Sequence, residues 1–428
     1  MFSALTKELN FFKGHPLSMR VLLLTNLIYG MVTPIIELFI GAYIMRNSED
    51  ISLVVIFQLA VYTGIPLTFM INGFLLNKLP ISRLYSLGMI LSGVSMTAMM
   101  TLDKLSTVGV FVAGLIMGLS YGFFWANRDF LALNTTKDAN RNYYYGIETF
   151  FYTFTGIGIP LAAGAFIAIT DQNGWFGGNV NMAYYIITAF VFALSAFASV
   201  LVHRGQFQNP IKAPFIFFQF DKLWRKMLQL AALKGIAQGY IVTAPTMLVM
   251  THVGKEGSLG LIQGIAAALS AILLYVLGRV TTPKHRVLIY GIGCTLFVLG
   301  ALFNAVMYSA FGVILFVLCL LFARPLLDIA YFPIQLKVID IVAEKEKRNT
   351  FTYIFNHELG LYVGRLFGCG LFIVLARYGS VDIALRYALL VIAVLHFMGY
   401  FMAQSIVKDL DTDEITTDEL APVSILHD

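Results

Sequence analysis

Runs of about twenty apolar residues, following one another along nearly the whole chain, decide what this sequence is able to fold into. A helix needs about 20 residues to cross about 30 Å of hydrocarbon. Twelve such runs are predicted, at roughly 19–44, 52–76, 84–102, 107–134, 145–169, 182–202, 227–250, 257–280, 287–308, 310–336, 351–376 and 383–405. In lipid each segment must satisfy its own backbone polar groups, so the runs are read as helices and the fold class as all-α and polytopic. Charged residues are only 12% of the chain, about half the share of a soluble domain, and the mean hydropathy is +0.79. Most connections are short, which makes neighbouring helices antiparallel.

The first eighteen residues mix Lys7, Glu8, Lys13 and His15, and the first apolar run is too long for a signal peptide core, so that span is expected to stay in the mature protein. Cys294, Cys319 and Cys369 all lie within apolar runs, as small core residues rather than a disulfide framework. Twenty Lys and Arg residues fall at the N-terminus and the even-numbered loops, against Arg46, Lys104, Lys255 and Arg377 on the other side. That asymmetry predicts both termini in the cytoplasm, with the protein in the plasma (inner) membrane. The net charge of +5 is thereby spent on orientation, and no nucleic-acid partner is expected.

Between His203 and Trp224 the stretch HRGQFQNPIKAPFIFFQFDKLW mixes aromatic and basic residues. It fits either an interfacial helix on the inner leaflet or a plain spacer. The acidic stretch after Val407 is expected to be a solvated, disordered tail. The domain order is a cytoplasmic N-terminus (1–18), a first six-helix bundle (19–202), a central loop (203–226), a second bundle (227–405) and a tail (406–428).

The two bundles echo each other in sequence. Tyr29-Gly30-Met31-Val32-Thr33-Pro34 in span 1 is matched by Gly239-Tyr240-Ile241-Val242-Thr243-Ala244-Pro245 in span 7. The loop from Gly73 to Arg83 is matched by the one from Gly278 to Arg286, and Arg141-Asn142 by Arg348-Asn349. Six spans duplicated in parallel form a transporter architecture, with its site expected between the halves.

With these features the chain resembles the major facilitator superfamily over essentially its whole length. The family's loop after span 2 has the form G-x-x-x-D-R-x-G-x-R-R. Gly73, Lys78 and Arg83 keep its glycine and basic positions, while Asn77 replaces the aspartate and Pro80 the second glycine. Gly156-Ile157-Gly158-Ile159-Pro160 through Gly164 looks like the antiporter signature of span 5, with its proline one position out of register. The span-4 antiporter pattern is not matched, since Asp129-Phe130-Leu131 follows Arg128.

The resemblance implies that spans 1, 4, 7 and 10 line a cavity, and each of them carries charge. A charged side chain within a span costs about 2.5–3.5 kcal/mol on insertion scales and so marks a functional interior or a structural pair. Glu37 follows Pro34 and is a candidate for proton coupling, as is Asp328. Arg324 and Asp328 share a helix face, and the planar guanidinium of Arg324 suits a carboxylate or phosphate. Tyr121, Trp125 and Arg128 lie on one face of span 4, an arrangement suited to an aromatic or anionic solute. Lys234 and Tyr331 complete the substrate-contacting set. Asp129, Glu148, Glu358, Arg365, Lys78 and Arg83 are read as gating or structural, with Glu148 within reach of Arg141.

Gly118-Leu119-Ser120-Tyr121-Gly122 matches the hydrolase G-x-S-x-G string but lies inside an apolar span. Gly114, Gly118 and Gly122 there read as close helix packing. Asn134-Thr135-Thr136 matches a glycosylation acceptor on the cytoplasmic side and is expected to be unmodified. The sequence has neither a phosphate-cradling loop nor paired metal ligands, so no cofactor and no enzyme activity are expected. The reading is a single-chain secondary transporter of a small organic solute, anionic or amphipathic, coupled to protons and in contact with membrane lipid. Efflux of lipophilic cations is the alternative within that architecture. A non-transporting receptor or scaffold is the alternative outside it.

Overall fold

A computed structural model of the chain describes residues 12–136, 138–209, 214–280 and 283–420. Its main elements are helices that follow the predicted runs. Spans 1 to 6 are Leu17–Asn47, Ser52–Leu75, Ile81–Met100, Thr107–Thr135, Asp138–Gln172 and Asn181–Val202. Span 7 is two helices, Lys222–Ile241 and Ala244–His252. Spans 8 to 12 are Glu256–Val280, Arg286–Met307, Ala310–Glu346, Thr350–Tyr378 and Val381–Leu420. Among the described residues, ten helices are long and apolar enough to cross a membrane. The two spans outside that count have separate causes: span 7 is broken, and span 3 is diluted by Arg83 and a series of serines.

Those serines belong to the packing. Ser92 bonds Ser195 of span 6 at 3.2 Å, Ser86 bonds Ser199, and Ser95 donates to the Ala113 carbonyl of span 4 at 2.7 Å. Lipid tails are as apolar as leucine, so helices in a membrane are joined by such hydrogen bonds and by close approach at small residues. A Cβ on Gly118 would stand 2.8 Å from Gly64 Cα, and one on Gly239 would stand 3.0 Å from Gly368 Cα. Span 4 thus lies directly on span 2, and span 7 on span 11. Ser120, the central residue of the hydrolase-like string, is fully buried and donates to the Gly88 carbonyl at 2.6 Å.

The main packing pairs repeat when six is added to each span number. Spans 1·5 and 7·11, 2·4 and 8·10, 3·4 and 9·10, and 3·6 and 9·12 all pack together. Contacts across the two sets run chiefly through spans 5·8 and 2·11, with span 1 against the second helix of span 7.

The central connection takes the spacer alternative among its described residues, and the expectation of a disordered tail is corrected. Residues 206–209 and 214–221 of the central connection are not helical. Gln206 turns the chain out of helix at φ 50°, and prolines follow at 210 and 214. This stretch works by side-chain anchors. Asn209 donates to the carbonyls of Leu76 and Leu79 and accepts from Ile81 N–H, and Phe215 sits among Phe74, Phe351 and Phe355. Asp221 caps span 7 through Leu223 N–H at 2.8 Å and accepts from Lys345 at 2.7 Å. In the tail, span 12 continues as helix to Leu420, because no proline or glycine interrupts the sequence before Pro422.

Candidate functional site

The site begins with a missing donor. In an unbroken helix the Ile241 carbonyl would accept from the N–H four residues on, but that residue is Pro245. Span 7 breaks there, between Ile241 and Ala244. The freed Ile241 carbonyl accepts instead from Arg324 Nη2 of span 10 at 2.6 Å. Pro34, the counterpart in span 1, sits inside a continuous helix and places Glu37 almost one turn further along.

Three cavities meet at this break, and Val242 lines all of them. The largest, about 470 Å3, has Glu37, Trp125, Tyr152, Gln263 and Arg324 on its walls. A second of about 220 Å3 shares Glu37 and Trp125 and adds Tyr62, Tyr121, Gln238 and Arg365. The third, about 210 Å3, lies behind Arg324 among Lys234, Asp328, Tyr290, Tyr331 and His396. Both Glu37 and Arg324 are open to this space.

The charges that line these cavities divide into paired and unpaired groups. Lys234 bonds Asp328 at 2.9 Å and lies 3.9 and 4.1 Å from the ring centroids of Tyr331 and Phe332. Asp328 therefore serves Lys234 and makes no ion pair with Arg324. Tyr331 in turn bonds His357 at 2.6 Å. Arg365 pairs with Glu358 at 3.1 Å, donates twice to Gln238, and lies 4.7 Å from the Tyr62 ring, tying span 11 to spans 7 and 2. Glu37 makes no hydrogen bond or ion pair with another described residue, and Arg324 makes no ion pair with one. Tyr121 also brings to this cavity a buried hydroxyl without a partner among the described residues.

The other residues singled out in the sequence lie apart from this centre. Arg128 bonds Glu148 and Asp129, the latter at 2.6 Å, and stands 5.6 Å from the Trp125 ring. Glu148 is 2% exposed and also accepts from Asn26 at 2.6 Å and Tyr144 at 3.0 Å. Its partner is thus Arg128; the Arg141 side chain lies outside the described residues. Lys78, on the loop clamped by Asn209, and Arg83, in the first turn of span 3, are exposed.

One network was not legible in the sequence. Arg46, at the end of span 1, holds Glu256 of span 8 through two bonds of 2.6 and 2.7 Å and reaches Asp171 of span 5 at 3.3 Å. Tyr184 donates to Glu256 at 2.7 Å, and Lys255 to Asp171 at 2.8 Å. Close by, a Cβ on Gly164 of span 5 would stand 3.0 Å from Gly260 Cα of span 8. Further along span 5, Gly156 and Gly158 have nothing within 4 Å of such a Cβ. Spans 5 and 8 are therefore closed at the Arg46 end, while Gly156 and Pro160 of span 5 and Gln263 and Ala267 of span 8 line the 470 Å3 cavity. Each of these charges sits at a helix end and meets a partner far away in sequence. The only local signal was that Arg46 and Lys255 are two of the four basic residues on that side.

Comparison with known proteins agrees with this architecture. The chain is 21% identical over 399 residues to the uncharacterized protein YqgE of Bacillus subtilis (strain 168), covering 92% of this chain and 90% of that one. A bacterial homologue of the iron transporter ferroportin, in an inward-facing state, superposes with a TM-score of 0.67 at 15% identity, over 91% of this chain and 98% of that one. The nucleoside transporter NupG superposes at 0.64 and 14% identity, over 92% and 99%. The family model of the Major Facilitator Superfamily matches residues 21–369. Twelve spans with a repeating packing order, and two facing charges at the break in span 7, thus belong to a member of the Major Facilitator Superfamily.

Proposed function

We propose that this secondary transporter carries a small organic solute bearing an acidic group, by alternating access around the Glu37–Arg324 cavity and in exchange or company with protons. In this reading residues 19–202 and 227–405 are the two rocking units of a single functional chain. Both termini face the cytoplasm, and Arg46–Glu256 closes the outer end. The observation that carries the proposal is that Glu37 and Arg324, from opposite halves, open into one cavity without pairing to other described side chains. A charge kept unpaired within a membrane protein is expensive, and its use is to meet a ligand or a proton. Glu37 is the residue for the proton and Arg324 for the acid.

Efflux of lipophilic cations is the second reading, favoured by Glu37 standing with Trp125 and Tyr121 around the smaller cavity. Counterflow in proteoliposomes tests the proposal. Labelled organic acids exchanging against an internal pool, with the exchange lost in Arg324→Ala beyond any loss of folded protein, support it. Exchange of lipophilic cations that is indifferent to Arg324 supports the second reading, and saturable binding without exchange supports a receptor.

A further inference from the structure

The charge count of the cavities narrows the solute further. This step rests on the reading of the Glu37–Arg324 cavity as the transport site. Of the charged side chains that line the three chambers, Lys234 is matched by Asp328 and Arg365 by Glu358. What remains is one carboxylate and one guanidinium, both on the wall of the same 470 Å3 space. A simple organic anion placed there neutralises Arg324 and is repelled by Glu37. A simple cation neutralises Glu37 and is repelled by Arg324. In a site of lowered dielectric such repulsion is not screened away. A molecule with separated positive and negative groups meets an opposite charge at each end.

We propose that the substrate is amphoteric: a small zwitterion whose ammonium group lies at Glu37 and whose carboxylate lies at Arg324. The rest of the lining describes its body. Trp125, Tyr152, Pro160, Leu320 and Val317 present aromatic and apolar faces, and the volume is within the roughly 300–1,000 Å3 of ordinary ligand sites. A zwitterion with an apolar or aromatic side group, of the size of an amino acid or a very short peptide, fits this description. The guanidinium keeps Nη2 on the Ile241 carbonyl and has its remaining N–H groups for the carboxylate. That carbonyl bond fixes the head of Arg324 in advance, so little ordering is left to binding.

The test is thermal unfolding of the detergent-purified full chain against matched quartets of compounds. Each quartet holds a free zwitterion, its N-acetyl acid, its methyl ester and the doubly blocked form. The quartets are built on phenylalanine, on a phenylalanine-containing dipeptide and on 6-aminohexanoate, which vary the distance between charges. In at least one quartet the free zwitterion should raise Tm and bind about tenfold or more tightly than either singly blocked form, the usual scale of one charged hydrogen bond. Glu37→Gln should erase its advantage over the N-acetyl acid, and Arg324→Lys its advantage over the ester. Both variants keep a polar group in place, so neither relies on an emptied site.

An N-acetyl acid equal to its parent overturns the zwitterion and leaves the acid-transport reading standing. An ester equal to its parent overturns both in favour of cation efflux. No stabilisation by any compound, with both variants indistinguishable from wild type, overturns the assignment of this cavity altogether.

Discussion

The Arg46–Glu256 bridge gives the most direct handle on how the halves are held. Glu256 is 1% exposed and takes two bonds from Arg46 and one from Tyr184. In Glu256→Gln the Arg46 guanidinium keeps only Asp171, at 3.3 Å, as an ion-pair partner, with the amide oxygen as a neutral acceptor. Breaking a buried pair by removing one partner costs about 3–5 kcal/mol. Arg46 is 20% exposed and retains Asp171, so the low end, about 3 kcal/mol, applies. A difference of that size shifts a two-state equilibrium by roughly a hundredfold, enough to bring a population that is about 99% closed close to parity. Spin labels at Asn173 and Tyr378, both exposed at the bridge's end of the bundle, with the half-buried Cys319 replaced by serine, report the separation by double electron–electron resonance. Glu256→Gln should add a longer-distance population, and Arg46→Met/Glu256→Met should return part of it by removing both charges. An unchanged distance distribution accompanied by a lower Tm would refute the reasoning, because the pair would then stabilise the fold without biasing its state.

Other predictions follow from the same contacts. Arg128→Met should lower stability by about 3 kcal/mol, since it strands the buried Glu148 carboxylate, and Arg128→Met/Glu148→Met should recover part of that loss in a thermal unfolding cycle. Gly118→Ala should cost about 1–3 kcal/mol by pushing span 4 off span 2, whereas Gly370→Ala, with nothing within 4 Å, should be neutral. At Asp221 burial pushes the carboxyl up, but the Lys345 ammonium and the Leu223 N–H outweigh it and hold it below its ordinary 3.8. A depressed carboxylate adds stability above its unfolded value, and that stability is lost as pH falls through the folded one. The Tm difference between wild type and Asp221→Asn should therefore be full at neutral pH, begin to shrink only below about pH 4, and be lost as the pH falls through the still lower folded value; a difference that does not shrink on acidification would assign the effect to the cap bond alone.

Much of this fold could be read from the chain because lipid imposes a single strong rule. Each apolar run had to become a helix, and Pro34 and Pro245 marked corresponding places in the two halves. Sequence did not show that Pro245 breaks its helix while Pro34 does not. At the break, Arg324, about eighty residues away, supplies the missing donor to Ile241. Span counting likewise found Arg324 and Asp328 four residues apart on one helix, but it had no means of placing Lys234 against Asp328. Asn26, Tyr85 and Tyr144, which surround Glu148, escaped notice because neutral polar residues barely disturb an apolar run. In the central connection, aromatic and basic composition fits an interfacial helix and a plain spacer equally well. The actual anchors are single side chains, Asn209 and Phe215, whose partners are set by tertiary packing.

In the proposed mechanism Glu37 couples solute movement to protons in the cavity it shares with Arg324. Proteoliposomes enclosing a pH-sensitive dye, supplied with pooled organic acids and zwitterions, measure this directly. A solute-dependent change of internal pH is predicted for wild type. In Glu37→Gln that change should be absent, while exchange of labelled solute between equal pools persists once solute is raised about tenfold to offset the lost ammonium contact. The same proton movement in Glu37→Gln as in wild type would contradict the account.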